Sequence, residues 1–225
     1  MGAARMSFLT EHFIRNAQDI LSVGSIPLDS KFLQAEFLSD HRLKSRQFLC
    51  DLFPKGGVGA EFGVFTGLFS TILLDRAKPK SAYFVDPWWL IFGNFYPDWG
   101  IYTANGRLST SRAHHVASRR IKRSAQGANV SVHVDYSVPF LEQLPDDHLD
   151  WVYLDSSHSY DGTVEELKVL KRKVKSGGII AGDDWHDALD HAHSGVAVAV
   201  REAVGAGAFE MIGSYPALQW AIRRP

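Results

Sequence analysis

The strongest constraint in the chain is a rhythm. Five short apolar runs, each closing on or beside an acid, recur among segments with helical spacing. The runs are VGAEF (58–62), SAYFVD (81–86), NVSVHVD (129–135), LDWVYLD (149–155) and IIAGDD (179–184), and their acids are Glu61, Asp86, Asp135, Asp155 and Asp183. The segments TGLFSTILLDRA, SRAHHVASRRIKRSAQG, GTVEELKVLKRKVKSGG and GVAVAVREAVGAG have the periodicity or the closing glycines of helices, the third ending at Gly177 and Gly178. Strands alternating with helices predict an α/β, Rossmann-like doubly wound sheet of seven mostly parallel strands. The last two strands, FEMIGS and ALQWAIRR, are separated by a turn at Tyr215 and Pro216 and should form its antiparallel edge. In such sheets ligands bind outside the carboxyl ends of the strands. A single acid there can be a mere helix cap, but five on one rim point to a site.

Residues 1 to about 54 read as a helical N-terminal segment, a lid or a dimerisation element, with homodimers or higher homo-oligomers left open. The remainder, 55–225, reads as one domain. It is interrupted at 87–112 by the aromatic stretch PWWLIFGNFYPDWGIYTANG and its flank, too long for a simple connection and therefore a candidate substrate loop. A formal net charge of −1 and a pI near 6.8 give no global attraction for nucleic acid or an anionic membrane. The basic run KVLKRKVK is then the solvated face of a helix. One cysteine, Cys50, excludes an internal disulfide, and with no leader pattern the expected location is cytoplasmic. The sequon at Asn129 opens a strand and is read as chance.

The glycines of EFGVFTGLFS fit neither the G-x-G-x-x-G dinucleotide pattern nor a P-loop. They give E-x-G-x-x-x-G, followed about twenty residues later by a strand ending in Asp86. A glycine turn admits close approach of a ligand to the backbone, and an acid on the next strand can accept from ribose hydroxyls. That describes an adenosine site without a pyrophosphate. From residue 56 to 223 the chain resembles the class I S-adenosylmethionine (SAM) dependent methyltransferases: AEFGVFTG matches their first motif, FVD their ribose acid, and VDYS and LDWVYLD their later motifs. The resemblance implies that Gly63 with its neighbours Glu61, Phe65, Thr66, Gly67 and Ser70 holds the methionine end. It implies further that Asp86 binds ribose, that Asp135, Tyr136 and Ser137 flank adenine, and that Asp155 borders the cofactor.

Methyl transfer to an alcohol requires removal of a proton, by a divalent cation or by a general base. Asp155 and the pair Asp183 and Asp184 would meet if their strands are neighbours, offering an oxygen-rich site suited to Mg²⁺ or Mn²⁺. His158, three residues beyond Asp155, is the natural base. LDSSHSY with AGDDW resembles the metal-dependent small-molecule O-methyltransferases, closest to the macrocin and mycinamicin sugar type. By that resemblance Asp155, Asp183 and Asp184 are metal ligands and His158 and Asp155 catalytic, although Ser157 stands where some relatives have a second acid. Trp88, Trp89, Tyr96, His158, Tyr160 and His186 are candidate substrate contacts, and His191 and His193 follow on the same loop. The expected activity is metal-assisted O-methylation of a hydroxylated small molecule, a sugar or glycoside before a catechol. A metal-independent N- or O-methyltransferase and a non-catalytic SAM-binding module are the alternatives.

Overall fold

The computed structural model describes residues 46–188 and 190–225. The helical N-terminal segment therefore lies outside the described residues except for its last turn, a short 3-10 helix at Gln47–Leu52. Seven strands form one sheet in the order β3-β2-β1-β4-β5-β7-β6. They are β1 Val58–Phe62, β2 Ser81–Asp86, β3 Asn129–Val134, β4 Leu149–Leu154, β5 Val174–Gly182, β6 Glu210–Tyr215 and β7 Gln219–Arg223. The first five pair in parallel. The β6–β7 hairpin forms the predicted edge, with β7 the antiparallel member, set between β5 and β6.

The helices are α1 Leu68–Ala77, α2 Trp89–Phe92, α3 Thr110–Ser124, α4 Ser137–Gln143, α5 Tyr160–Lys173 and α6 Ser194–Gly205. Successive strand residues point to opposite faces, and β4 shows the result. Val152 and Leu154 pack with Leu167, Leu170, Val196 and Val200 of α5 and α6, whereas Trp151 and Tyr153 pack with Phe53, Phe69 and Leu73 on the other face. Both faces being buried explains why the strand reads as an unbroken apolar run.

Two boundaries differ from the sequence reading. Helix α5 stops at Lys173, whose ammonium donates to the Leu144 carbonyl, and β5 begins at β-branched Val174, ahead of Gly177 and Gly178. The pairing with β4 slips between Leu149 and Trp151, so the glycines occupy an irregular strand rather than a helix end. The aromatic stretch is also shorter as a loop. It contains α2, a 3-10 turn at Gly100–Thr103 and a bridge from Phe95 to Ser109, and α3 begins at Thr110, capped by the Ser109 hydroxyl.

Strand order reverses between β1 and β4, so the crevice that such a sheet offers a ligand opens beyond Phe62 and Leu154. Among the described residues no helix is long and apolar enough to cross a membrane.

Candidate active site

The turn after β1 is built against the end of β4. Gly63 has φ 88°, and a Cβ there would lie 1.7 Å from the Asp155 carbonyl oxygen, so only glycine fits. The Asp155 amide donates to the Phe62 carbonyl at 2.8 Å, which fixes the two strand ends together. At Gly67, φ 75°, a Cβ would meet Ala117 of α3 at 2.9 Å. The acids on this side are held by the protein's own donors. Glu61, 1% exposed, accepts from the Ser70 hydroxyl at 2.5 Å, and burial pushes its carboxyl well above the usual range. Asp86 accepts from the amides of Val64 and Phe65, both at 2.9 Å, and of Trp88 at 2.8 Å. Burial raises its pKa and these three amides work against that rise. Glu61, Ser70 and Asp86 thus form the frame of the glycine turn. The buried Thr66 carbonyl accepts from Arg120, and the Phe65 carbonyl from the Trp88 indole.

Beyond β4 and β5 the acids meet charge. Arg46, buried, sits between Asp183, 2.5 Å away, and Asp155, 3.6 Å away. Gln219 donates to Asp183 at 2.6 Å and accepts from the Tyr153 hydroxyl at 2.8 Å, completing a buried network. Asp184 faces elsewhere. It lies past the end of β5 with φ 63°, a left-handed turn, and its side chain bonds a different set of partners. Asp184 Oδ2 bonds His158 Nδ1, and Oδ1 lies 3.3 Å from His193 Nδ1 and 3.9 Å from His186 Nε2. Burial alone would raise the Asp184 carboxyl, but the bond to His158 and the charges of His158 and His193 outweigh it, giving a pKa of about 2. The bond to Asp184, followed by the neighbouring carboxylates, raises His158 to about 9 against the cost of burial. Asp155 is pushed up to about 7, first by burial and then by Asp183, with Arg46 opposing.

An ionised Asp184 can only accept, so the proton of the shared bond belongs to His158 Nδ1, and neutral His158 keeps its lone pair on Nε2. Asp155, Ser156, Ser157, His158, Asp183 and Asp184 line one small open recess together with Leu154, Val196 and Trp220. That recess borders Gly63 through Asp155.

The other sequence-predicted residues divide. Tyr136 is exposed on the rim, its hydroxyl donating to Leu90, and Asp135 accepts from its own neighbour's amide and from Gln143. Trp89 is exposed. Trp88 and Tyr96, expected at the substrate, are 0% and 4% exposed and pack with Phe84, Leu108 and Ala113 under the loop. Tyr160 opens α5 and donates to Glu202 of α6 at 2.5 Å. Ser137 donates to Glu166, as does Ser156 at 2.6 Å, so this one buried carboxylate ties the loop after β3 to the loop after β4. Glu166, Gln219 and Arg46 were not singled out in the sequence. Two carried a signal: Glu166 falls on the apolar face of α5 with Thr163, Leu167 and Leu170, and Gln219 is a polar residue within an apolar strand.

These residues fit the adenosine ligand of the resemblance. The glycine turn is held at the switch point against the end of β4, Tyr136 offers an exposed ring, and Asp86 has one acceptor position beyond the three taken by amides. They do not fit the expected all-oxygen cation site. Asp155 and Asp183 are already compensated by Arg46, and Asp184 is turned toward imidazoles.

A parallel sheet whose glycine turn meets the end of β4 at the switch point, with an acid closing β2, is the fold of the class I SAM-dependent methyltransferases. The chain belongs to the methyltransferase-domain family, whose model matches residues 60–185. Solved structures agree on the fold. A protein from Corynebacterium glutamicum shares 12% identity over 94% of this chain and 88% of its own, with a TM-score of 0.58. Cofactor-bound Rv0187 from MTB shares 16% over 92% and 94%, TM-score 0.56. A SAM-dependent methyltransferase from Aquifex aeolicus shares 14% over 88% and 98%, TM-score 0.54. No curated protein matches the chain by sequence.

Proposed function

We propose that this methyltransferase transfers its methyl group to a hydroxyl of a small molecule, a sugar or glycoside, with His158 as general base. The observation that carries the reading is the His158–Asp184 pair in the recess beside Gly63 and Asp155. An imidazole oriented by an ionised carboxylate is the device that a weakly acidic alcohol requires, whereas a neutral amine needs none. Bound at the switch point, SAM supplies an electrophilic methyl carbon and departs as a neutral thioether. The neutral form of His158, whose share grows as pH climbs toward about 9, accepts the hydroxyl proton at Nε2 as the new carbon–oxygen bond forms, and Asp184 stabilises the resulting imidazolium before the proton passes to solvent. Arg46 lies between Asp155 and Asp183 and opposes the rise that burial imposes on Asp155, and both acids favour positive charge on His158. The exposed Trp89 and Trp99 rings support an acceptor with a flat apolar face, such as a sugar. Since Arg46 occupies Asp155 and Asp183, the arrangement favours the imidazole device over Mg²⁺ held by those acids.

The test is methyl transfer from labelled SAM to matched panels of sugars, glycosides, catechols and amines, with the product bond identified by mass spectrometry. Label in an ether is the expected result. Label only in amines, or tight SAM binding without transfer to any acceptor, would reject the reading.

A further inference from the structure

The proposed mechanism uses one oxygen of Asp184. The other faces a group with no part in it: His186, His191 and His193, on the loop between β5 and α6. One ring nitrogen from each of these three histidines lies within 4.8 Å of the corresponding nitrogens of the other two. The His186 and His191 rings stack with centroids 3.4 Å apart, and His193 stands edge-on to both. Asp184 Oδ1, 3.3 Å from His193 Nδ1, stands behind that ring. A carboxylate that takes the proton of one ring nitrogen leaves the other with its lone pair outward, an arrangement typical of histidines that ligate metals.

We propose that His186, His191 and His193 bind a divalent ion of the zinc class, with Asp184 as the acid behind His193 and the fourth position open to water. The donor set selects the ion. Imidazole nitrogens suit Zn²⁺ and its neighbours, whereas Mg²⁺ and Ca²⁺ take oxygen ligands. Zn–N bonds of about 2.0–2.1 Å in a tetrahedron put donors about 3.4 Å apart, which the present spread reaches with small side-chain shifts. His191 Nδ1 accepts from the His193 amide at 3.1 Å, an exposed bond that water can replace. One of the two stacked rings tilts as the ion enters. The site differs in residues and in ion from the Mg²⁺ site expected at Asp155, Asp183 and Asp184. It does not depend on the acceptor's being a hydroxyl.

The experiment is a Co²⁺ titration of chelator-stripped, tag-free protein, followed by visible absorption, with Zn²⁺ and Mg²⁺ as competitors. Wild type should bind one Co²⁺ per chain with ligand-field bands that Zn²⁺ abolishes and Mg²⁺ leaves unchanged. Loss of an outer partner of a metal ligand costs 10- to 100-fold in affinity, so His191→Ala and His193→Ala should each weaken binding by about 100-fold or more. His191 is exposed, and its variant should keep the wild-type near-ultraviolet circular dichroism. His115→Ala, on the exposed face of α3, should bind as wild type does. Absence of saturable Co²⁺ binding, or equal affinity in all three variants, would overturn the site. Methyl transfer is read separately, so failure of either proposal is recognisable by itself.

Discussion

The two halves of the strand rim use the same residue type in opposite ways. After β1 and β2, Glu61 and Asp86 are buried against a hydroxyl and three backbone amides, and burial favours their neutral forms. After β4 and β5, the acids lie among a guanidinium and imidazoles, and Asp184 is held ionised. A carboxylate satisfied by fixed neutral donors holds a loop in place. One paired with a titratable partner can take part in moving a proton. The difference is set by neighbours, not by the acids themselves.

The comparison breaks most easily at Arg46. Arg46→Met leaves Asp155 and Asp183 uncompensated in a buried site and should cost about 3–5 kcal/mol, measured by urea unfolding at neutral pH. A loss below about 1 kcal/mol, the range of exposed pairs, would mean that the β4–β5 half is not organised by charge. Gly63→Ala should come next, at about 2–3 kcal/mol for a left-handed alanine pressed on a carbonyl, together with loss of SAM affinity by calorimetry. Normal stability and normal SAM binding in that variant would separate the two halves that the turn is said to join.

The His158–Asp184 pair should have a pH signature that the other half lacks. A histidine raised from 6.5 to about 9 stabilises the fold fully below 6.5, and the contribution fades as pH climbs toward 9. A carboxyl lowered from 3.8 to about 2 contributes above 3.8, and that is lost as pH falls toward 2. The melting-temperature gap between wild type and His158→Asn, measured in chelator, should therefore be widest between these limits and narrow on both sides. A gap independent of pH would refute the pairing. The smallest effect belongs to Glu61→Gln. The amide oxygen still accepts from Ser70 and the cost of ionising a buried acid disappears, so stability at neutral pH should be unchanged or slightly higher. A large loss there would show that Glu61 works as a charge.

The fold was legible because both kinds of signal were local: apolar runs for strands buried on two faces, and glycines at the turn and at the approach to α3. The β5 boundary was missed because Lys173, charged and adjacent to two more basic residues, looks solvent-facing and is buried instead. In the site, the acids could be read from their strand ends. Their grouping could not, since Asp183 and Asp184 are consecutive and point apart. Arg46 was invisible for a related reason. It lies 109 and 137 residues from Asp155 and Asp183, and only the folded sheet brings them together. Trp88 and Tyr96 sit in an aromatic loop that pattern alone cannot divide into exposed rings and packed ones.

The most direct test of the central claim is to measure, for His158→Ala, the rate of methyl transfer to the best hydroxylated acceptor beside the affinity for SAM. With His158 as base, kcat should fall by about 10²–10⁴ while SAM binding stays at the wild-type level, because the residues proposed to hold the cofactor lie on and after β1 and β2. An unchanged kcat, or a loss of SAM affinity that accounts for the whole defect, would contradict it.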